Sequence, residues 1–551
     1  MLYMDVNNIS KSIGSLKILD SISFKLYKGD KVGLIGKNGV GKSTLCKIII
    51  GETSKDNGNI SLLGKVGYLP QSIKTREDIK AEDFIGKIYD YNYLMDLLTK
   101  LNLKDLMKQN ISTLSGGERT KLCFAKTMAE KPDVLLLDEP TNQLDWESMS
   151  VIEDYINKFN GAVLIISHDR FFLDRTVSQI YELENMKVNL YRGNYSFYAS
   201  QKRIEKEKVL LEYEEYMKKK RALEEAARKQ MERSNKYNNI SVNDFQRHKA
   251  SKIAKRSKAI ISRLENMEEK EKPFKPKEVN IKLDQRIEKT SNVLIRATNI
   301  SKSFDRLIFK DISFTIEKES RIALLGRNGS GKSTLLKTIM GKETFQGDLS
   351  ISPSLKIGYL SQGLENLEAD STVIDEMKKV HSDETYIRTI LGAMLFRNDD
   401  VYKNIEILSF GEKVRVAFSK LIIEDNCLLI LDEPTNFLDI PTSEAIEEAL
   451  LSYKGAILFV SHDRFLVKKL AKEIWELESK KLIKYLSGYD YYLRKKDETE
   501  SSAEKNVKEE ILALEMRLSH ISFKLLSCSE TDKKILESEY FKIAEKLRNL
   551  K

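Results

Sequence analysis

Residues 36–44 read GKNGVGKST, and residues 326–334 read GRNGSGKST. Both match GxxxxGK[ST]. Each stands between a β-like run (KVGLI at 31–35, RIALL at 321–325) and a helix-like one (LCKIII, LLKTIM). Strand, glycine loop and helix in that order are the context a phosphate-binding loop requires. Glycines let the backbone turn so that successive N–H groups converge on phosphate oxygens at the helix N-terminus. In this reading Gly36, Asn38, Gly39, Gly41 and Thr44 form one cradle, and Gly326, Asn328, Gly329, Gly331 and Thr334 form the other. Lys42 and Lys332 would reach the β- and γ-phosphates of a nucleotide, and Ser43 and Ser333 would ligate Mg2+.

The repetition continues in register. VGYLPQ (66–71) returns as IGYLSQ (357–362), and LSGGE (114–118) as LSFGE (408–412). LLLDEPTNQLD (135–145) returns as LILDEPTNFLD (429–439), and ISHDRFFL (166–173) as VSHDRFLV (460–467). Offsets of 290 to 294 residues are far too long for a solenoid, so the chain carries a duplicated α/β domain. Each block has a chemical rationale. LLLD is a buried apolar strand that ends in a carboxylate, Asp138 or Asp432, fit to hold the Mg2+ shell. The next residue, Glu139 or Glu433, is placed to polarise the attacking water as general base. Gln71 and Gln362 offer a neutral oxygen to the metal. His168 and His462 follow apolar strands and occupy matched positions, although the chain has only five histidines; they are expected to touch the γ-phosphate.

Composition narrows the class. The 551 residues exceed one ordinary domain, and 41% hydrophobic content is enough for real cores. No apolar run reaches 18 residues, and MLYMDVNNIS lacks a secretory profile, so neither a membrane span nor export is expected. Cys46, Cys123, Cys427 and Cys528 are widely spaced, without a CxxC pair. They read as buried thiols of a cytoplasmic protein. The net charge of +9 sits in one segment: residues 201–280 hold 23 Lys and Arg against 14 Asp and Glu, and the rest holds 69 of each sign.

Taken together the repeated motifs resemble the Walker A, Q-loop, signature, Walker B, D-loop and H-switch set of ATP-binding cassette ATPases, over roughly 1–200 and 292–495. The resemblance implies two cassettes packed head to tail within one chain, a monomer with an intramolecular cassette pair. Each ATP would lie between one phosphate loop and the other cassette's signature, Ser115 and Gly117 or Ser409 and Gly411. It also implies an adenine-stacking aromatic after the first strand. Phe304 fits, but the matching residue of the first repeat is Ile13. The second signature carries Phe410 in place of its first glycine. Both departures fall on the composite site of Lys42 and Ser409, so unequal sites are expected.

The segment between the repeats is rich in Glu, Lys, Ala and Leu and has no Gly or Pro before Pro273. It predicts a helical hairpin, with arms at about 199–233 and 244–270 and a breaker cluster at 234–245 that is flanked by Tyr237 and Phe245. RHKASKIAKRSKAIISR (247–263) has seven Lys or Arg and no acid. Such a face repels itself unless it meets a polyanion, and RNA phosphates are the leading candidate. Tandem cassettes, no membrane span and a basic helical linker resemble the ABC-F family. By that resemblance the partner is the 70S ribosome, through 23S rRNA with 5S rRNA and P-site tRNA as further contacts, at the tRNA exit site with the hairpin tip toward the peptidyl-transferase centre. Gln71 to Leu114 spans 43 positions and Gln362 to Leu408 spans 46, which leaves no room for the extra arm of many housekeeping members. The chain therefore looks more like the antibiotic-resistance branch of the Vga, Lsa and VmlR type, which protects against lincosamides, streptogramin A and pleuromutilins.

The expected organisation is a first cassette at 1–198, a hairpin linker at 199–291, a second cassette at 292–495 and a helical extension at 496–551. The extension shows helical spacing at Leu514, Leu518, Ile521 and Leu525, then a turn near 527–533 and a second run from Leu536 to Leu547. A transporter's energising subunit leaves the basic hairpin unexplained. A DNA-repair ATPase or a housekeeping translation factor remains open at this point, because Lys and Arg do not distinguish RNA from DNA.

Overall fold

The computed structural model describes residues 1–71, 79–86, 90–240, 244–270, 291–361, 363–364 and 367–498, with residues 514, 516–518, 521–522, 540–544 and 547 of the C-terminal segment. The chain divides into two compact units. The first is Met1–Lys282 with Leu364–Glu424 and Thr435–Ser452, and the second is Leu283–Gly363 with Asp425–Pro434 and Tyr453–Lys551. The first unit thus contains the whole first repeat, the hairpin, and the signature and D-loop segments of the second repeat.

In the first unit a six-stranded sheet runs in the order Val66–Leu69, Val134–Asp138, Ala162–Ile166, Lys31–Ile35, Gln179–Glu184, Lys187–Tyr191. The first five strands are parallel and the last is antiparallel. Parallel strands buried on both faces read as unbroken apolar runs, which is why LLLD and VLII show no alternation. Leu135 and Leu137 pack with the helices Gly116–Ala129, Trp146–Lys158 and Arg170–Thr176. Val134 and Leu136 pack instead with the helix Lys42–Ile49 and a three-stranded antiparallel sheet of Leu16–Tyr27, Leu2–Ile13 and Asn57–Leu62. All four side chains are fully buried, and each contributes about 1.5–3 kcal/mol. The second unit has its own six-stranded sheet in the same strand order and its own antiparallel sheet of Leu307–Glu317, Val293–Ser303 and Gln346–Ile351.

The hairpin differs from its expected boundaries. The outgoing helix is Tyr195–Ile240 and the returning helix Asp244–Glu265, so the backbone of the expected breakers 234–240 is helical. The reason is propagation. Extending an existing helix fixes one residue per hydrogen bond, and Ser, Asn and Tyr cost only tenths of a kcal/mol each where Gly or Pro is absent. At 46 residues the outgoing arm is about 69 Å long. The arms pack closely at small residues, where Ser257 Oγ donates to the Ala227 carbonyl at 3.3 Å. The side chains of Tyr237 and Phe245 lie outside the described residues, as do Leu525, Leu536 and the turn at 527–533. Of the extension, Ile521 and Ile543 are helical and buried.

The base of the outgoing arm is tied to the sheet. Tyr198 donates to Glu182 at 2.7 Å, Lys202 pairs with the same carboxylate at 2.7 Å, and Tyr191 meets Tyr198 edge to face at 5.0 Å. Among the described residues no helix is long and apolar enough to cross a membrane.

Candidate active site

Strand register assembles the first site. Ile166 is the Cα partner of both Asp138 and Leu34, so three neighbouring strands end together and release Glu139, His168 and the loop of Gly36 at one sheet edge. Ligands of open α/β sheets bind at such carboxyl ends. In the second unit Val460 pairs with both Asp432 and Leu324 and gathers Glu433, His462 and the loop of Gly326 in the same way.

Gly41, at φ 103°, is the N-cap of Lys42–Ile49; a Cβ there would meet Ile18 Cγ2 at 2.6 Å. Gly331 repeats the geometry at φ 103°. Lys42 Nζ donates to the carbonyls of Gly36 and Lys37 at 2.7 and 2.9 Å, and Lys332 to those of Gly326 and Arg327 at 2.8 and 3.1 Å. The ammonium is therefore folded over the loop in both copies. Burial pulls the Lys42 pKa down, against the charges of Glu139, Asp439 and Asp138.

Glu139 and Glu433 sit at φ 53° and 54°, a left-handed conformation that costs about 1–3 kcal/mol in a non-glycine residue and collects at functional sites. Their N–H groups donate to Ile166 and Val460, and their carboxylates accept from the backbone N–H of His168 and His462 at 3.3 and 3.2 Å. Burial pushes Glu433 up to about 7, and burial raises Glu139 in the same direction against the charge of Lys42. A carboxyl that titrates near neutrality is suited to proton transfer. Burial, with the nearby charge of Lys42, pushes His168 down to about 3, so its imidazole is neutral.

The raised carboxyls have a consequence for stability. Each keeps its proton in the fold after the unfolded chain, near its ordinary 4.5, has lost it. The folded state then binds more protons, so stability falls as pH rises from about 4.5 through about 7. His168, whose imidazole is held neutral, contributes in the opposite direction up to its ordinary 6.5, so the melting temperature of nucleotide-free protein should drop between about pH 6.5 and pH 8, and by less in a Glu139→Gln/Glu433→Gln variant. Equal drops would show that these carboxyls do not titrate in that window.

The signature serines cap helices. Ser115 caps Gly116–Ala129 and Ser409 caps Phe410–Ile423, each in a capping box with Glu118 or Glu412. The Ser-x-x-Glu spacing of LSGGE and LSFGE is the sequence sign of that cap. Gly117 is buried within its helix, and a Cβ at Gly411 would only touch Leu438 at 3.5 Å. Gln71 is exposed at the bend after Val66–Leu69, and Gln362 lies outside the described residues. Ile13 and Phe304 are both exposed, with Lys302 Nζ 4.4 Å from the Phe304 ring centroid.

Within the first unit the phosphate loop also meets the D-loop of the second repeat. Asn38 N donates to Asp439 Oδ2 at 3.1 Å, and Asn38 Nδ2 to the Phe437 carbonyl at 3.3 Å. Arg170, next to the H-switch, forms a buried ion pair with Glu447 on the helix Ile440–Ser452. Sequence reasoning missed Phe437, Asp439, Arg170 and Glu447. Phe437, Asp439 and Arg170 were signalled only by repetition of the motif tails LDEPTN-x-LD and SHDR, and Glu447 lies outside both tails.

Two P-loop α/β domains with duplicated site geometry define a tandem ATP-binding cassette ATPase. The family model described as ABC transporter matches residues 19–142 and 309–436. The chain is 34% identical to the putative ATP-binding protein YdiF of Bacillus subtilis (strain 168), over 93% of this chain and 85% of that protein. It is 30% identical to the ribosome protection protein VmlR of the same organism, over 99% and 98%. Among solved structures the RNase-L Inhibitor shares the fold, with TM-score 0.60 at 20% identity over 86% of this chain and 87% of that one. The chain belongs to the ABC-F family, and it binds and hydrolyses ATP.

Proposed function

We propose that this ATPase binds the ribosome in the exit-site region and uses its hairpin to protect the peptidyl-transferase centre from lincosamides, streptogramin A and pleuromutilins. One observation carries the reading. On the returning helix Ser257 is buried and Ile253, Ala254, Ile260 and Ile261 are half-buried, while Lys252, Lys255, Arg256, Lys258 and Arg263 are exposed. Among the described residues none of these five cations forms an ion pair. A one-signed, unpaired face on a stiff arm fits rRNA phosphates, which bind cations through counterion release. The name of the relative VmlR, a ribosome protection protein, supports the same partner.

For the chemistry we assign Glu139 and Glu433 as general bases and His168 and His462 as donors to the γ-phosphate. Asp138 Oδ1 and Glu139 Oε1 are buried and have no hydrogen-bond partner among the described residues, and Asp138 and Asp432 hydrogen-bond Ser43 and Ser333. Such a donor set fits Mg2+, which takes one or two carboxylates and leaves its other positions to water and phosphate. Mg2+ held there would neutralise charge on the phosphates. Lys42 and Lys332 would leave their loop carbonyls for phosphate oxygens, while the strained Glu139 and Glu433 keep their carboxylates at the sheet edge. The Glu182 clamp at the arm's base lets movement of the sheet carry the arm as a lever.

Two variants test the proposal. Neutralising Lys252, Lys255, Arg256 and Lys258 together should weaken co-sedimentation with ribosomes, and each lost phosphate contact should lower the salt slope of log K by about 0.7–0.9. Shortening 235–243 should spare ATPase activity and ribosome binding but abolish drug tolerance in cells that depend on this protein for it. Intact tolerance would favour a general translation role over protection. No effect of the lysine changes on binding would remove the ribosome reading.

A further inference from the structure

Gly116 and Gln143 of the first repeat correspond in register to Phe410 and Phe437 of the second. In the first repeat Gln143 lies on the bare backbone of Gly116, where a Cβ would sit 1.7 Å from Gln143 Oε1. In the second, two rings meet edge to face with centroids 5.9 Å apart and planes at 87°. Gln143 and Phe437 take the same left-handed backbone, at φ 62°. What differs is the neighbour of this left-handed residue on the signature helix: a glycine backbone that the Gln143 amide lies against in one copy and an aromatic ring in the other.

The Phe437 carbonyl has a definite chemical effect. A carbonyl oxygen only accepts, so the Asn38 side chain must turn its NH2 toward it. That leaves Asn38 Oδ1, also only an acceptor, facing His168 Nε2 at 3.1 Å. His168 must then carry its proton on Nε2, and among the described residues its buried Nδ1 has no hydrogen-bond partner. The chain of constraint runs from the ring pair to a carbonyl, to an amide orientation, to an imidazole tautomer. All of its members lie in the first unit.

We propose that Phe410 and Phe437 are positioning residues for hydrolysis at the Lys42 site: by bracing the D-loop on the signature helix they fix the Asn38 amide and, through it, the Nε2–H tautomer of His168. That tautomer presents a donor, not a lone pair, to a phosphate oxygen. The inference rests on the assignment of His168 as a γ-phosphate donor. It gives the aromatic departure of the second signature a role that a merely drifted glycine lacks.

The test uses the full chain with Glu433→Gln, so that turnover reports the Lys42 site. Phe437→Ala should lower kcat about tenfold, the worth of one aligned hydrogen bond to the reacting group, with KM for ATP changed less than about twofold. Asn38→Ala should give a similar loss, and the double variant no further loss, because both act through one path. Nitrogen-15 spectra of labelled histidine, with His168→Gln for assignment, should show a single Nε2–H tautomer for His168 and a mixture after Phe437→Ala. The pair of the first repeat, Phe410→Gly with Phe437→Gln, should restore both kcat and tautomer. Phe437→Leu serves as the folding control. Unchanged kcat and tautomer in Phe437→Ala, or additive losses with Asn38→Ala, would overturn the proposal. Retained turnover after Glu139→Gln in the same background would instead sink the assignment of the site itself.

Discussion

Replacing Glu139 and Glu433 together by Gln is expected to cut ATP turnover by about 10²–10⁴-fold while leaving ATP binding near the wild-type level, because general-base catalysis supplies roughly that factor. Gln keeps the shape, the acceptor oxygen toward the N–H of His168 or His462 and the strained backbone, and removes only the ability to take a proton. Phosphate release and equilibrium nucleotide binding, measured on one preparation, separate the two effects. On the ribosome we propose as its partner, the variant should then persist and co-sediment more than wild type. Turnover near the wild-type rate would show that another group activates the water.

Breaking the Arg170–Glu447 pair is expected to have the second large effect. Arg170 is 6% exposed and Glu447 2%, so Arg170→Met takes the guanidinium away from a buried carboxylate. Removing one partner of a buried pair costs about 3–5 kcal/mol, whereas replacing both by apolar groups is often neutral. The cost falls on the docking of the helix Ile440–Ser452, where Ile440 packs on the core of the first repeat. Amide exchange over 440–452 should accelerate by roughly two to three orders of magnitude in Arg170→Met, at 1.4 kcal/mol per tenfold. Arg170→Met with Glu447→Leu should recover most of the protection. If the single variant exchanges at the wild-type rate, the pair does not hold the helix.

The two tests address different links. Glu139 is the base we assign to the reacting water, whereas Arg170 pairs with Glu447 on a segment of the second repeat beside the first phosphate loop. Loss of that pairing would also free Asn38 from Asp439 and Phe437. Arg170→Met should therefore slow turnover at the Lys42 site as well, with the exchange change separating loss of docking from a direct chemical role.

What the sequence determined by itself is what local pattern and repetition encode. The phosphate loops were legible because glycine spacing, a preceding strand and a following helix are short-range features. The buried strands ending in Asp138 and Asp432 were legible because parallel strands covered on both faces have no polar positions to hide. Duplication raised Glu139, Glu433, His168 and His462 above the level of single residues. The basic returning arm was visible as an unmixed charge run, but the length of the outgoing arm was not: weak helix formers looked like a stop, and propagation carried that helix through Ile240. Only the tertiary structure decided which distant groups meet. That Asn38 touches Asp439 across 401 positions, that Arg170 meets Glu447 across 277, and that Phe410 leans on Phe437 follow from packing between segments, which no local period records. The left-handed backbone of Glu139 and Glu433 belongs to the same class, because it is imposed by strand ends held in register and not preferred by glutamate itself.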